Sequence, residues 1–140
     1  MADVIYNSFK SDLMKGAIDL DTNSFKCMLV TSAYTPNQDT HTTKANVTNE
    51  VSGTGYTARG VALSGLAVTT DNTGNRGLWD FNDPTWAAST ITARGAVFYK
   101  DTGTDATDLL IAYIDFGSDK SSSAGTFQLA IDPNGFMALT

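Results

Sequence analysis

The spacing of apolar positions changes once along this chain. Between residues 5 and 18 it is helical: Phe9, Leu13 and Ala17 lie four apart, with Met14 and Ile18 beside them on one stripe. This predicts one short helix. Asn7 or Ser8 is placed to cap its start by accepting a bond from an unpaired first-turn amide, and Gly16 limits its length. From residue 25 onward the period is that of strands. Candidates run 25–32, 55–63, 66–70, 77–82, 90–100, 108–116, 125–131 and 135–139. Turn formers separate them, among them Asp71-Asn72-Thr73-Gly74-Asn75, Asp101-Thr102-Gly103 and Asp132-Pro133-Asn134-Gly135. Short strands at regular turn spacing indicate a sandwich or closed barrel. The expected fold is all-β: a single β-sandwich domain over residues 1–140, with a jelly roll as one form it could take. Residues 1–18 form an N-terminal arm and helix. A polar stretch from Thr35 to Glu50 is long for a compact domain, and such loops usually carry function or move.

The tetrapeptide Thr-Ala-Arg-Gly occurs at Thr57–Gly60 and again at Thr92–Gly95, and holds two of the three arginines. In the second copy Arg94 falls on the more polar face of a strand. In the first, regular alternation would put Arg59 beside Val61 and Leu63, so a bulge at Gly60 is expected to turn it outward. Two readings follow. Two strands share one local solution, or Arg59 and Arg94 clamp an acidic partner, for which the guanidinium fork is suited.

Composition fits the β reading. Only 17% of residues are charged, against about 25% in an average protein, and the net charge is −6. No basic stripe is visible, which argues against nucleic-acid binding. The N-terminus does not read as a signal peptide, and no apolar run approaches the ~20 residues a membrane helix needs. Expression in a cytoplasm is expected. Cys27, the one cysteine, lies in an apolar run and reads as a buried thiol.

The sequence offers little for catalysis, and no enzymatic activity and no cofactor are expected. His41 is the only histidine and reads as a solvated loop residue. No Gly-x-Ser-x-Gly or phosphate loop is present. Asp19, Asp21 and Asn23 have calcium-loop spacing, but Ser24 and Val30 stand where that loop needs Gly and Glu. Asp80 and Asp83 read as turn formers. Asp101, Asp105 and Asp108 read as solvated. Trp79 and Trp86 suit a core, an interface or a sugar-stacking platform.

Several segments resemble small structural proteins of tailed bacteriophage virions: Asn7 to Leu20, Lys26 to Pro36, Val47 to Tyr56, Trp86 to Tyr99 and Leu110 to Gly117. The resemblance implies a virion protein. A capsid decoration, or cement, protein bound to the major capsid protein is the first expectation. A tail or fibre component with a carbohydrate- or receptor-binding sandwich is the alternative. A homo-oligomer is expected, a trimer before others, because repeated weak contacts on a shell gain avidity. The expected docking residues are the arm Met1, Ala2, Asp3, Val4 and Ile5, together with Arg59, Arg94, Trp79 and Trp86.

Overall fold

The computed structural model describes residues 2 to 140. Strand β1 (Val4–Ile5) leads into helix α1 (Asn7–Met14). Then come β2 (Phe25–Val30), a 3₁₀ turn (Lys44–Asn46), β3 (Val61–Ala62), β4 (Ala67–Asp71) and β5 (Arg76–Asp80). The chain ends in β6 (Thr85–Ser89), β7 (Thr92–Lys100), β8 (Leu110–Ser121), β9 (Gly125–Gln128) and β10 (Met137–Leu139). One layer is a five-stranded antiparallel sheet in the order β1-β8-β7-β2-β3. The other is split into a three-stranded sheet, β10-β5-β4, and the pair β6-β9. The fold is thus an all-β sandwich with a short N-terminal helix. Its ten described strands, with the second layer broken into two sheets, differ from the eight-stranded, two-sheet jelly roll.

The centre of the large sheet is buried on both faces, which is why β2 and β7 read as near-continuous apolar runs. Cys27 and Leu29 with Ala96 and Phe98 face the main core, where Trp79, Phe81 and Trp86 pack on them from the second layer. Met28, Val30, Val97 and Tyr99 face a second core with Tyr6, Tyr34 and Tyr113. Fully burying an aliphatic side chain of this kind contributes about 1.5–3 kcal/mol. Cys27 is buried as expected, and burial pushes its thiol pKa up.

Two expectations for the N-terminus fail. The helix spans Asn7–Met14 only, and its cap is the extended Tyr6, which makes no side-chain capping bond. Asn7 instead donates its amide to Asp39 Oδ1 at 2.8 Å. The arm is not free either. Val4 and Ile5 pair with Tyr113 and Ala112 of β8, and Asp3 Oδ1 accepts the Asp115 N–H at 2.8 Å. Val4 and Ile5 thus form an edge strand of their own sheet. Met1 lies outside the described residues.

The Thr35–Glu50 stretch is bound down by its asparagines. Asn37 Oδ1 accepts the N–H groups of Asp39 and Thr40, both at 3.0 Å, and Asn46 Oδ1 accepts those of Thr42 and Thr43 at 2.9 and 3.1 Å. His41 is not a solvated bystander. Its Nδ1 accepts the Asn37 N–H at 3.3 Å and lies 2.9 Å from the Tyr34 hydroxyl. That hydroxyl is in turn 2.9 Å from the hydroxyl of buried Tyr6. Burial holds the imidazole pKa below its ordinary value.

The two tetrapeptides turn out to be different structures. Thr57–Gly60 is a turn, closed by Gly60 N–H to Thr57 O at 3.0 Å, and the strand begins only at Val61. Thr92–Gly95 lies within β7, where the register against β8 shifts between Ala93 and Gly95. Both glycines mark close approaches. A Cβ on Gly60, at φ +79°, would collide with the Cys27 carbonyl, and one on Gly95 would sit 2.5 Å from Tyr113 Cε2. Gly60→Ala and Gly95→Ala should each lower stability by about 1–3 kcal/mol, the scale of local backbone strain. Chemical denaturation checks this, and Gly77→Ala, where a Cβ meets open space, is the control and should cost less than either.

Candidate functional site

The largest concentration of charge forms where the Thr57–Gly60 turn meets the loop between β7 and β8. Arg59 itself has φ +78°, which a β-bearing residue adopts only when its surroundings enforce it. Its backbone is fixed on both sides. The Arg59 N–H donates to Glu50 Oε1 at 2.6 Å, and the Arg59 carbonyl accepts the Tyr99 hydroxyl at 2.6 Å. Glu50 Oε1 also accepts the Tyr56 hydroxyl at 2.8 Å, while Tyr56 Oη accepts the Leu29 N–H at 3.0 Å. The guanidinium is therefore aimed by main-chain bonds.

It points at three carboxylates. Nη2 donates to Asp101 Oδ1 at 2.8 Å and to Asp108 Oδ2, and Nη1 donates to Asp105 Oδ1. Asp108 is 0% exposed, and its other oxygen accepts the Thr102 N–H at 2.7 Å and the Thr102 hydroxyl at 2.8 Å. Two lysines complete the cluster: Lys26 lies 3.8 Å from Asp101, and Lys44 lies 3.2 Å from Asp105. Desolvation works against the charge on Arg59, yet its hydrogen bonds to Asp101 and Asp108 outweigh it and raise its pKa. For Asp101 burial is likewise outweighed, chiefly by Arg59, and its pKa falls.

The expectation that Asp101, Asp105 and Asp108 are solvated is thus overturned for Asp108 in particular. Arg59 does not turn outward to clamp a partner, because its guanidinium is engaged by its own chain. Arg94 is engaged too: Nε donates to Asp115 Oδ1 at 3.0 Å. The Asp115 carboxyl is held down at about 2 by the Gly117 N–H and then by Arg94. Trp79 and Trp86 are both in the core. Trp79 meets Phe25, Phe81 and Phe136 edge-on and donates Nε1–H to Leu20 O at 3.1 Å. Trp86 stacks on Tyr56 and meets Phe127 edge-on. Neither indole offers a face to a sugar.

The remaining carboxylates flagged in the sequence serve the backbone. Asp19 Oδ1 accepts the Asp21 N–H, and Asn23 Oδ1 accepts the Asp19 N–H. Asp80 binds the Phe81 N–H and Asp83 the Ile131 N–H. Among the described residues no group of three or more His, Cys, Asp or Glu side chains could hold a metal ion. In the cluster Arg59 takes the central position between the carboxylates. A surface groove of about 430 Å³, lined by Phe116, Lys120, Phe127 and Leu129, runs along β9. No protein family, curated protein or solved structure matches the chain.

Removing Arg59 leaves a buried Asp108 without its cation. Arg59→Ala should cost about 3 kcal/mol, the usual penalty for orphaning a buried ion-pair partner. Arg76→Ala, which breaks a pair with Asp71 in which the side chains are 38% and 25% exposed, should cost less than about 1 kcal/mol. Urea unfolding of the two variants separates an arginine-centred cluster from a set of ordinary surface pairs. Equal losses would contradict the former.

Acid should weaken the fold through Asp115. Its folded pKa, about 2, lies below the ordinary value of 3.8. Its contribution is complete above 3.8 and is lost as pH falls toward about 2. Stability measured across this window should fall less steeply for Asp115→Asn than for the parent chain.

Proposed function

We propose that this chain is a structural component of a tailed-bacteriophage particle: a decoration protein that docks on the assembled shell through the major capsid protein and stabilises it. It is made in the host cytoplasm, acts in the virion and carries out no reaction of its own. It works as a homo-oligomer, a trimer by preference, so that repeated modest contacts add through avidity.

The observation that carries this reading is the direction in which charge is spent. Lys26, Lys44, Arg59, Arg76 and Arg94 each sit on a carboxylate of the same chain. Asp19, Asp21, Asp39, Asp83, Asp119 and Asp132 remain exposed. Most of the domain's cations are spent on its own carboxylates; Lys10, Lys15 and Lys120 are exposed, and the exterior is acidic on balance. Such an exterior steers toward a basic protein surface and repels anionic polymers. The rival reading, a tail or fibre module stacking sugar on Trp79 and Trp86, has lost its two platform residues to the core.

Copy number in purified particles tests the reading. Hundreds of copies per particle, released by raised salt, are expected of a shell protein held by charge. A handful of copies would move the protein to a tail or fibre.

A further inference from the structure

The sheet β10-β5-β4 extends past the core it helps to form. Register puts Met137, Trp79 and Val68 side by side, and Leu139, Gly77 and Thr70 in the next row of the same face. Trp79 anchors the first row in the core. The second row has left it: Leu139 is 72% exposed, and a Cβ on Gly77 would meet nothing. Val68, at the opposite margin of that face, is 50% exposed. Both outer edges of this sheet are open, since among the described strands none pairs with β4 or β10 except β5.

Free edges invite pairing, and proteins that stay monomeric blunt them with lysine, proline, bulges or very short strands. The large sheet does so. At one edge β3 is two residues long, and at the other Asp3 fills the hydrogen-bonding position of the Asp115 N–H. β4 has none of these devices. It pairs with β5 without a register shift over five residues, Ala67-Val68-Thr69-Thr70-Asp71. Its one charge, Asp71, is neutralised by Arg76 at 2.9 Å. β10, Met137-Ala138-Leu139, carries no charge at all.

Charge then selects the occupant. Two copies of a chain at net charge −6 repel over most of their surface. They can meet at low cost where the surface is neutral, and the two edges of this sheet are neutral. We infer that the sheet is the self-association surface: the outer edge of β4 in one copy pairs with the outer edge of β10 in the next. A twofold β4–β4 contact would leave β10 and Leu139 uncovered, whereas the head-to-tail contact covers both edges. It also brings Val68 beside Met137 and Leu139 of the next copy on one continuous face, the kind of apolar cross-strand pair that stabilises sheets. A head-to-tail contact that closes makes a ring. The trimeric size of that ring rests on the proposed function; the contact itself does not. Measuring it in solution without shells keeps failure of self-association distinct from failure of shell binding.

The test is light scattering on the purified full chain over a range of concentrations, beside the double variant Val68→Asp/Leu139→Asp. Both positions are exposed, so the variant should unfold at nearly the parent temperature. The parent should run at about three times the chain mass and the variant at the mass of one chain. Cysteine cross-linking reads the same contact with little change to the surface, because Cys27 is buried. Thr69→Cys and Ala138→Cys proteins, mixed and treated with a short bis-maleimide, should join one to the other, while neither joins to itself. A parent that stays monomeric at every concentration, an oligomer that survives the double variant, or cross-linking of Thr69→Cys alone would each overturn the inference.

Discussion

The position of Arg59 constrains much of this domain. A long cationic side chain on a residue at φ +78° is costly unless its surroundings fix it. Here they do so twice. Glu50 and Tyr99 hold the main chain, and Asp101, Asp105 and Asp108 hold the guanidinium. Those partners come from the end of the long polar segment, from β7 and from the loop that follows it. Through Lys26 and Lys44 the cluster also reaches β2 and the 3₁₀ turn. The stretch from Thr31 to Gly60, in which the 3₁₀ turn is the one named element, is thereby tied to the large sheet. The neighbouring glycine belongs to the same solution, because only a residue without Cβ lets the turn lie against the Cys27 carbonyl.

Buried ion clusters are seldom efficient sources of stability, since desolvation offsets much of the attraction. Their value is in specifying arrangement. Asp108 illustrates the point: its oxygens are satisfied by Thr102 on one side and by Arg59 on the other. A loop shifted by one residue would lose both. The Tyr6–Tyr34–His41 chain does the same elsewhere on that face of the sheet, linking the first strand's exit to the polar segment. Neutral hydroxyls and an imidazole make that link without bringing a formal charge into the second core.

How much of this was legible depended on whether the signal was local. The period change at residue 25 placed the helix and most strands, because half-buried strands show their faces in sequence. β1 was missed because two residues have no period. β6 was missed because its burial alternation breaks where the register shifts between Trp86 and Ser89. The strand expected over 55–63 shrank to Val61–Ala62, since Tyr56 and Arg59 were read as strand positions when they are turn residues with distant hydrogen-bond partners. The Asp101–Asp108 loop looked solvated because its sequence neighbours are Thr, Gly and Ala. The cation that buries it arrives from Arg59, five strands earlier in the chain. Two clues were available: the scarcity of arginine, and three aspartates at close spacing with only one lysine beside them.

The sheet order also has a consequence in time. Val4 has Tyr113 as its partner, and Cys27 has Phe98. As the chain emerges from a ribosome, its first strand has nothing to pair with until almost the last has appeared. The β4–β5 hairpin, by contrast, can close on itself at once. The nascent protein therefore carries an early, self-sufficient hairpin and a late-closing sheet. Folding dominated by such distant pairings is slow, and β1, at the sheet's edge, is well placed to act as its closing latch.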